Sequence, residues 1–482
     1  MNKITKNYLF NLIYQLFIML VPLVTAPYLA RALGAEALGT YSYVHSVSYL
    51  VTTITLLGIY QYGNRQIAYV RDNSERLSEV FWQVISTRIV LAVFGTIIFL
   101  IVIFSVNRYL MLFLLYYTYV LAYFLDCTWL FVGVEDMKWA VIKNTITKVL
   151  AILGIFLLVK KPRDLALYVL IQGLAVLISN ILAYTQIKRY VGAPQFDLRN
   201  FSCDIKASFL LFLPSVATTV YLQSDKIMIE LMTGNTSQVS FYDYSEKIVT
   251  IPLTFITVLS TVMMPRIANE FAKGHKDRID ELLNSAAQLS LFLAFPMMFG
   301  LMSVADKLVP WYLGGEFLPT VIAIIVISPI IISNTMTALS GTQYFTATNQ
   351  ISILLKSQTF AAIANLLINA MLIPKYGYIG AAIATLICSF SSAIIQYSYL
   401  RKQVHLSKFG ISLIKYMIMG AMMAIVIRGV THNCSATPMT NVFQIIVGSI
   451  VYFVLCIVTK DQQMKKLLKK AGEIILRREK NG

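Results

Sequence analysis

Long apolar stretches, each interrupted by a few polar or charged residues, run along the whole chain. A helix that crosses a bilayer needs about 20 apolar residues. Stretches of that length lie near 8–30, 38–63, 80–104, 109–133, 139–160, 165–187, 207–233, 239–265, 282–304, 318–344, 350–373, 378–400, 411–430 and 442–459. Every connection between them is short, and none has room for a folded soluble domain. The apolar run at the N-terminus continues through Ala30 with no small-residue cleavage site, which marks it as an uncleaved span rather than a signal peptide. The pattern predicts an all-α polytopic membrane protein with about fourteen transmembrane helices.

An internal repeat organises these spans. SNILAYTQIKRYV (Ser179–Val191) aligns without gaps with SAIIQYSYLRKQV (Ser392–Val404), and GTYSY (Gly39–Tyr43) is echoed by SFYDY (Ser240–Tyr244). Repeats of six spans share one topology, so a pseudo-two-fold axis along the membrane normal would relate them. The expected organisation is two six-helix bundles, an N-terminal one over 1–200 and a C-terminal one over 201–405. Spans thirteen and fourteen (406–460) and a basic tail (461–482) follow. Pro22, Pro27 and Pro214 interrupt the opening span of each half, where a freed carbonyl permits a kink or hinge.

Composition narrows the class further. Of 482 residues, 57% are hydrophobic and 13% charged, against about 25% charged in soluble domains. Five scattered cysteines with no CxxC pair and four isolated histidines argue against a disulfide framework or a metal site. No P-loop, GxSxG or HExxH motif occurs, so neither a catalytic site nor a cofactor is expected and the chain does not read as an enzyme. The net charge of +17 reports membrane-flanking loops rather than nucleic acid. Lys and Arg are roughly threefold more frequent on the side that holds both termini, which places the termini in the cytoplasm. The tail, with KKLLKK and RREK, reads as a segment held by anionic membrane lipid.

Ionisable groups within the spans carry the candidate chemistry, because each costs roughly 2.5–3.5 kcal/mol at the bilayer centre unless a partner or a wet cavity receives it. Arg88 lies ~12 Å from the cytoplasmic edge of the third span, and Asp126 reaches a similar depth in the fourth, which allows a contact between them. Lys143, Lys148, Lys356 and Lys415 occupy the cytoplasmic thirds of their helices, where snorkelling competes with a binding role. In the outer halves of spans seven and eight stand Asp225, Lys226 and Glu230, then Asp243, Glu246 and Lys247. Lys226/Glu230 and Asp243/Lys247 are i,i+4 pairs. They form either neutralised hairpin charges or a polar lining open to an anion. The abundant tyrosines, among them Tyr41, Tyr43, Tyr116, Tyr119, Tyr123, Tyr242 and Tyr244, suit either sugar stacking or interfacial anchoring.

The opening NYLFNLIYQL (Asn7–Leu16) and PYLARALGAEALGTYSY (Pro27–Tyr43) resemble the N-terminal signature of the polysaccharide-repeat, O-antigen or Wzx-type, flippases. That family belongs to a superfamily with the lipid II flippase and the multidrug and toxin extruders. LDCTWLFVGVEDMK (Leu125–Lys138), SDKIMIELMTG with FYDYSEKI (Ser224–Ile248), MPRI (Met264–Ile267) and GYIGAAIAT (Gly377–Thr385) extend the resemblance over both halves. It carries over Arg31, Gly34, Gly39, Asp126, Gly133, Glu135, Asp225, Lys226, Lys247 and Arg266, and departs from the usual pattern at Cys127 and Thr128.

The resemblance implies movement of an undecaprenyl-diphosphate-linked oligosaccharide repeat unit from the cytoplasmic to the periplasmic leaflet of the bacterial inner membrane by alternating access. On that basis Arg88, Lys143 and Lys356 are expected to capture the diphosphate from inside, and Lys226, Lys247 and Arg31 to receive it. Asp126 and Asp225 are candidates for coupling to a proton or sodium gradient. The expected partners are the lipid-linked substrate, anionic lipid at the tail, and the polysaccharide polymerase and chain-length machinery. A multidrug extruder of the same superfamily is the alternative. Organic cations favour acidic cavities, however, and the intramembrane excess here is basic. A membrane polymerase would need a larger outer loop than any in this chain.

Overall fold

The third apolar stretch shows why the segments fold as they do. Leu91, Gly95, Phe99 and Ile103 recur at helical spacing and are buried, while Ile89, Val93, Ile97 and Ile101 are exposed on another face. A soluble protein could not leave such a stripe bare, but hydrocarbon accepts it. In the computed structural model, which describes the backbone of residues 3–407 and 409–465, every regular element among the described residues is helical.

The chain begins with α1 (Lys3–Leu56), which carries Pro22 and Pro27 and breaks at Gly34. The φ of 77° and ψ of 174° there belong to a region that is essentially glycine-only. After Leu57 and Gly58, both at positive φ, α2 (Ile59–Val70) continues at 44° to the preceding segment. Then come α3 (Ser74–Val106), α4 (Leu110–Phe124), α5 (Thr128–Gly133), α6 (Met137–Leu158), α7 (Leu165–Ile187) and α8 (Phe201–Thr233). They are followed by α9 (Thr236–Ala272), α10 (Lys276–Tyr312), α11 (Thr320–Ile327), α12 (Ile330–Thr337) and a π-helix (Ala338–Phe345). The last four are α13 (Ile351–Tyr376), α14 (Tyr378–Leu400), α15 (Phe409–Thr431) and α16 (Pro438–Val458). Among the described residues ten helices are long and apolar enough to cross a membrane, and two bent pairs raise the number to 12. The fourth predicted stretch is split between α4 and α5, and the tenth among α11, α12 and the π-helix.

Two compact units emerge, Met1–Ser240 and Phe241–Gly482. In the first, α1 packs on α3, α4, α6 and α8, and α7 on α4 and α6. Its aromatic core centres on Trp129, which stacks on Phe81 at 5.3 Å and fills the space left by Gly63. In the second, α10 packs on α12, α15 and α16, and α14 on α11, α12 and α13. Packing thus assigns α8 to the first unit, whereas the repeat places the start of the second copy at 201.

Two contacts fix the architecture locally. A Cβ on Gly39 would stand 1.7 Å from the carbonyl oxygen of Thr236, so α1 meets the start of α9 backbone to backbone. Beyond α16, buried Asp461 pairs with Lys415 Nζ at 2.5 Å and accepts from the Tyr416 hydroxyl at 3.0 Å. It also accepts from the N–H groups of Gln463 and Met464, capping the turn that follows. Lys415 therefore has a specific carboxylate rather than an open route to the interface. Burial acts to raise the Asp461 pKa, but these donors outweigh it and hold the carboxyl below its ordinary value. Residues 466–482, most of the basic tail, lie outside the described residues.

Gly39→Ala is expected to cost more than about 3 kcal/mol and to lower both yield and Tm. Gly429→Ala, with nothing within 4 Å of the new methyl, should change neither. Asp461→Asn is expected to lower stability at neutral pH by about 1.5–3 kcal/mol. A depressed carboxyl pKa stabilises above the unfolded value of about 3.9 and loses that contribution as pH falls through and below it. The gap between wild type and Asp461→Asn in thermal unfolding should therefore close below about pH 4.

Candidate functional site

The break between α4 and α5 leaves carbonyls without intrahelical partners. Arg88 of α3, 2% exposed, reaches that break. Its Nε donates to the Phe124 carbonyl at 2.9 Å and its Nη2 to the Tyr123 carbonyl at 2.5 Å. Its Nη1 is buried with no hydrogen-bond partner among the described residues. Asp126, half-buried in the break, accepts from the Thr128 N–H at 2.9 Å and from the Thr128 hydroxyl. In place of the contact with Asp126 that the depths allowed, Arg88 meets the Tyr123 and Phe124 carbonyls.

Lys143 of α6 completes the cluster. It is 2% exposed, and its Nζ donates to Asn144 Oδ1 at 3.0 Å and Ser179 Oγ at 3.4 Å. Asp126 is near enough to act electrostatically on Lys143, and Asp126, Lys143 and Arg88 all act on the Cys127 thiol. Arg88, Lys143 and Asp126 thus come together in the first unit, two cations to one acid. Among the described residues neither cation is in a direct salt bridge. Each is held by neutral oxygens, an arrangement that leaves cationic donors for phosphate oxygens.

The other expected residues are spread more widely. Asp225 and Lys226 are buried in α8. Glu230, two turns or less along the same helix, is 2% exposed and pairs with Arg108 at 2.6 Å. It also accepts from the Tyr109 hydroxyl at 3.1 Å, and Arg108 ties the Gly234 carbonyl at 3.2 Å. In the second unit Lys247 pairs with Asp243 at 2.6 Å along α9 and lies over the Tyr244 ring. Lys247 is half exposed, and Arg31 on α1 and Lys356 on α13 are exposed.

Three groups had no signal in the sequence. Arg108 lies in the short connection between the third and fourth stretches. Asp204, 1% exposed at the start of α8, accepts from Tyr62 at 2.7 Å, Gln83 at 2.8 Å and Thr87 at 3.1 Å, binding α8 to α2 and α3. His45 Nδ1 meets the Tyr116 hydroxyl at 2.5 Å within a ladder of Tyr41, Tyr49, Tyr119 and Tyr123, so these tyrosines pack largely on one another.

Comparison with known proteins fits this architecture. The family profile described as polysaccharide biosynthesis protein matches residues 4–271, and that of the lipid II flippase MurJ matches residues 139–448. A relative from Escherichia coli (strain K12) named "Putative O-antigen transporter" is 25% identical over 394 residues, covering 80% of this chain and 94% of the relative. The "Probable low-salt glycan biosynthesis flippase Agl15" of Haloferax volcanii is 22% identical over 259 residues, 53% of this chain and 54% of its own. In fold, the chain resembles the lipid II flippase MurJ in its inward closed conformation, with a TM-score of 0.72 at 17% identity over 94% of this chain and 99% of that one. A MATE structure in complex with MaD3S follows at a TM-score of 0.52 and 15% identity, over 83% of this chain and 92% of that one. By the match of its profile over more than half of the sequence, the chain belongs to the polysaccharide biosynthesis protein family.

Proposed function

We propose that this chain is a flippase for a lipid-linked oligosaccharide, and that the lipid is undecaprenyl diphosphate carrying a repeat unit of O-antigen or a similar polysaccharide. The membrane is the bacterial inner membrane, both termini are cytoplasmic, and the load moves from the cytoplasmic to the periplasmic leaflet by alternating access. A sugar head group cannot cross hydrocarbon unaided, whereas its polyprenyl tail is stable there, so the protein has only to shelter the head. The relatives named for O-antigen transport and glycan flipping support the substrate class.

The observation that carries the reading is the Arg88–Lys143 pair beside a broken span. Two buried cations held by neutral oxygens can exchange those ligands for pyrophosphate oxygens without first breaking an ion pair. Lys356 serves the same intake side. Lys226, Lys247 and Arg31 receive the diphosphate after the change of access. Asp126, beside the inner cations, and Asp225, buried on α8, are the positions for coupling to a proton or sodium gradient. The basic tail rests on anionic lipid, and polymerase and chain-length machinery consume the product. An inner cluster with two cations to one acid does not suit the cationic load of a drug extruder.

Lys143→Met, assayed for surface polymer at matched protein level, should reduce polymer about tenfold (~1.4 kcal/mol per decade) with little loss of Tm. Arg88→Met should reduce polymer as well and also lower Tm, because it strips the Phe124 carbonyl of its Arg88 donor and leaves the Tyr123 carbonyl with the Asp126 N–H at 3.3 Å. Wild-type polymer from both variants would remove the inner station. Transport of extracted lipid-linked oligosaccharide in vesicles should slow when the proton and sodium gradients are collapsed together. Rates indifferent to both would remove the coupling role of Asp126 and Asp225.

A further inference from the structure

Within the second unit, α9, α12, the π-helix, α13 and α14 line an open cavity of ≈ 370 Å³ whose lining contains no ionisable side chain among the described residues. That volume lies within the ~300–1,000 Å³ typical of small-molecule pockets and equals roughly twelve waters at about 30 Å³ each. Thr250, Thr254 and Thr257 present one side of α9 to it, and Asn334, Thr342 and Gln358 contribute from the other elements. The lining mixes these uncharged polar groups with apolar surface, including Leu253 and Leu354, at a place where the surrounding helices are built for hydrocarbon.

The π-helix explains why the space exists. Its wider turn closes with Thr346 N–H to the Gly341 carbonyl and is followed by Gln350 N–H to the Phe345 carbonyl. Such turns occur chiefly as local bulges and often mark functional sites. Ala338 and Gly341 keep the wall thin. Behind them Gln396 is fully engaged, accepting from Ser340 at 2.9 Å and donating to Ser357 at 2.9 Å, so it forms a fixed back wall.

The hydrogen-bonding capacity left over is specific. Thr250, Thr254 and Thr257 each spend their hydroxyl proton on a carbonyl of their own helix, at 2.8, 3.2 and 2.9 Å, and so present acceptor lone pairs. The Asn334 amide nitrogen, the Thr342 hydroxyl and the whole Gln358 amide make no hydrogen bond to another described residue. Acceptors thus stand on one wall and free amide donors on another. A sugar ring, whose every hydroxyl both donates and accepts, satisfies both sets. A diphosphate finds no cation there, and an apolar molecule would strand the amides.

We propose that this cavity is a glycan subsite that binds uncharged, hydroxyl-bearing sugar rings of the transported head group, apart from the cations that hold its diphosphate. The inference rests on the flippase reading, and the lining would then set which repeat units are accepted. Sugars bound here would be selected by the positions of their hydroxyls, while the diphosphate would be common to every load.

The test uses the full chain in lipid nanodiscs and two probes, undecaprenyl diphosphate and the lipid-linked oligosaccharide extracted from the cells that make it. Wild type should bind the oligosaccharide form about tenfold more tightly. The near-isosteric Thr254→Val/Gln358→Met double variant should lose that preference while binding undecaprenyl diphosphate as before, which also reports that it is folded. A preference that survives in the variant overturns the subsite, and so does an equal loss for both probes. Equal wild-type binding of both probes with transport intact overturns the subsite and leaves the flippase reading standing. Wild type that binds neither probe overturns both.

Discussion

Hydrocarbon supplies no hydrogen bonds, so every carbonyl freed and every charge placed at membrane depth must be answered from within the protein. The structure depends on that constraint at each point where a helix is interrupted. At the break in the fourth apolar stretch, Arg88 answers the Tyr123 and Phe124 carbonyls and Asp126 answers the Thr128 N–H. The interruption in the tenth is taken up by a π-turn whose carbonyls still find amides one residue further on. In both cases the residues that keep the backbone satisfied stand beside polar groups with spare capacity. Interruptions are thus where this fold gathers its chemistry.

Charges are handled in two ways. Glu230 with Arg108, Asp243 with Lys247, and Asp461 with Lys415 are closed pairs, each joining an acid that is nearly fully buried to a cation with more access to solvent. They fasten helix ends and the start of the tail. Arg88 and Lys143 are instead buried among carbonyl, amide and hydroxyl oxygens. Removing one partner from a closed pair leaves an uncompensated charge. The other two cations have no such acid among the described residues, only neutral oxygens.

What the sequence disclosed follows from the distance over which each contact acts. Runs of apolar residues placed the stretches, whereas Gly34 stood in the sequence only as a position of the family pattern, and its glycine-only backbone conformation at the break in α1 came from the structure. The Asp243–Lys247 pair was readable because both residues lie on one helix. The spacing that suggested a Lys226–Glu230 pair did not reveal that Glu230 holds Arg108, more than a hundred positions away. Asp204 was invisible for the same reason, since its partners come from α2 and α3. The neutral cavity was harder still. Threonines and glutamines on apolar helices carry no charge to draw notice, and only folding sets them facing one another.

The indole N–H of Trp129 donates to the Asp126 carbonyl at 3.2 Å, and its ring lies on Phe81 in full burial. With four tryptophans in the chain, this one is wired directly into the interrupted segment whose carbonyls Arg88 holds. Any rearrangement there would alter the polarity around the indole and so the colour of its ultraviolet emission. The molecule thereby contains its own unlabelled optical gauge of that segment's conformation.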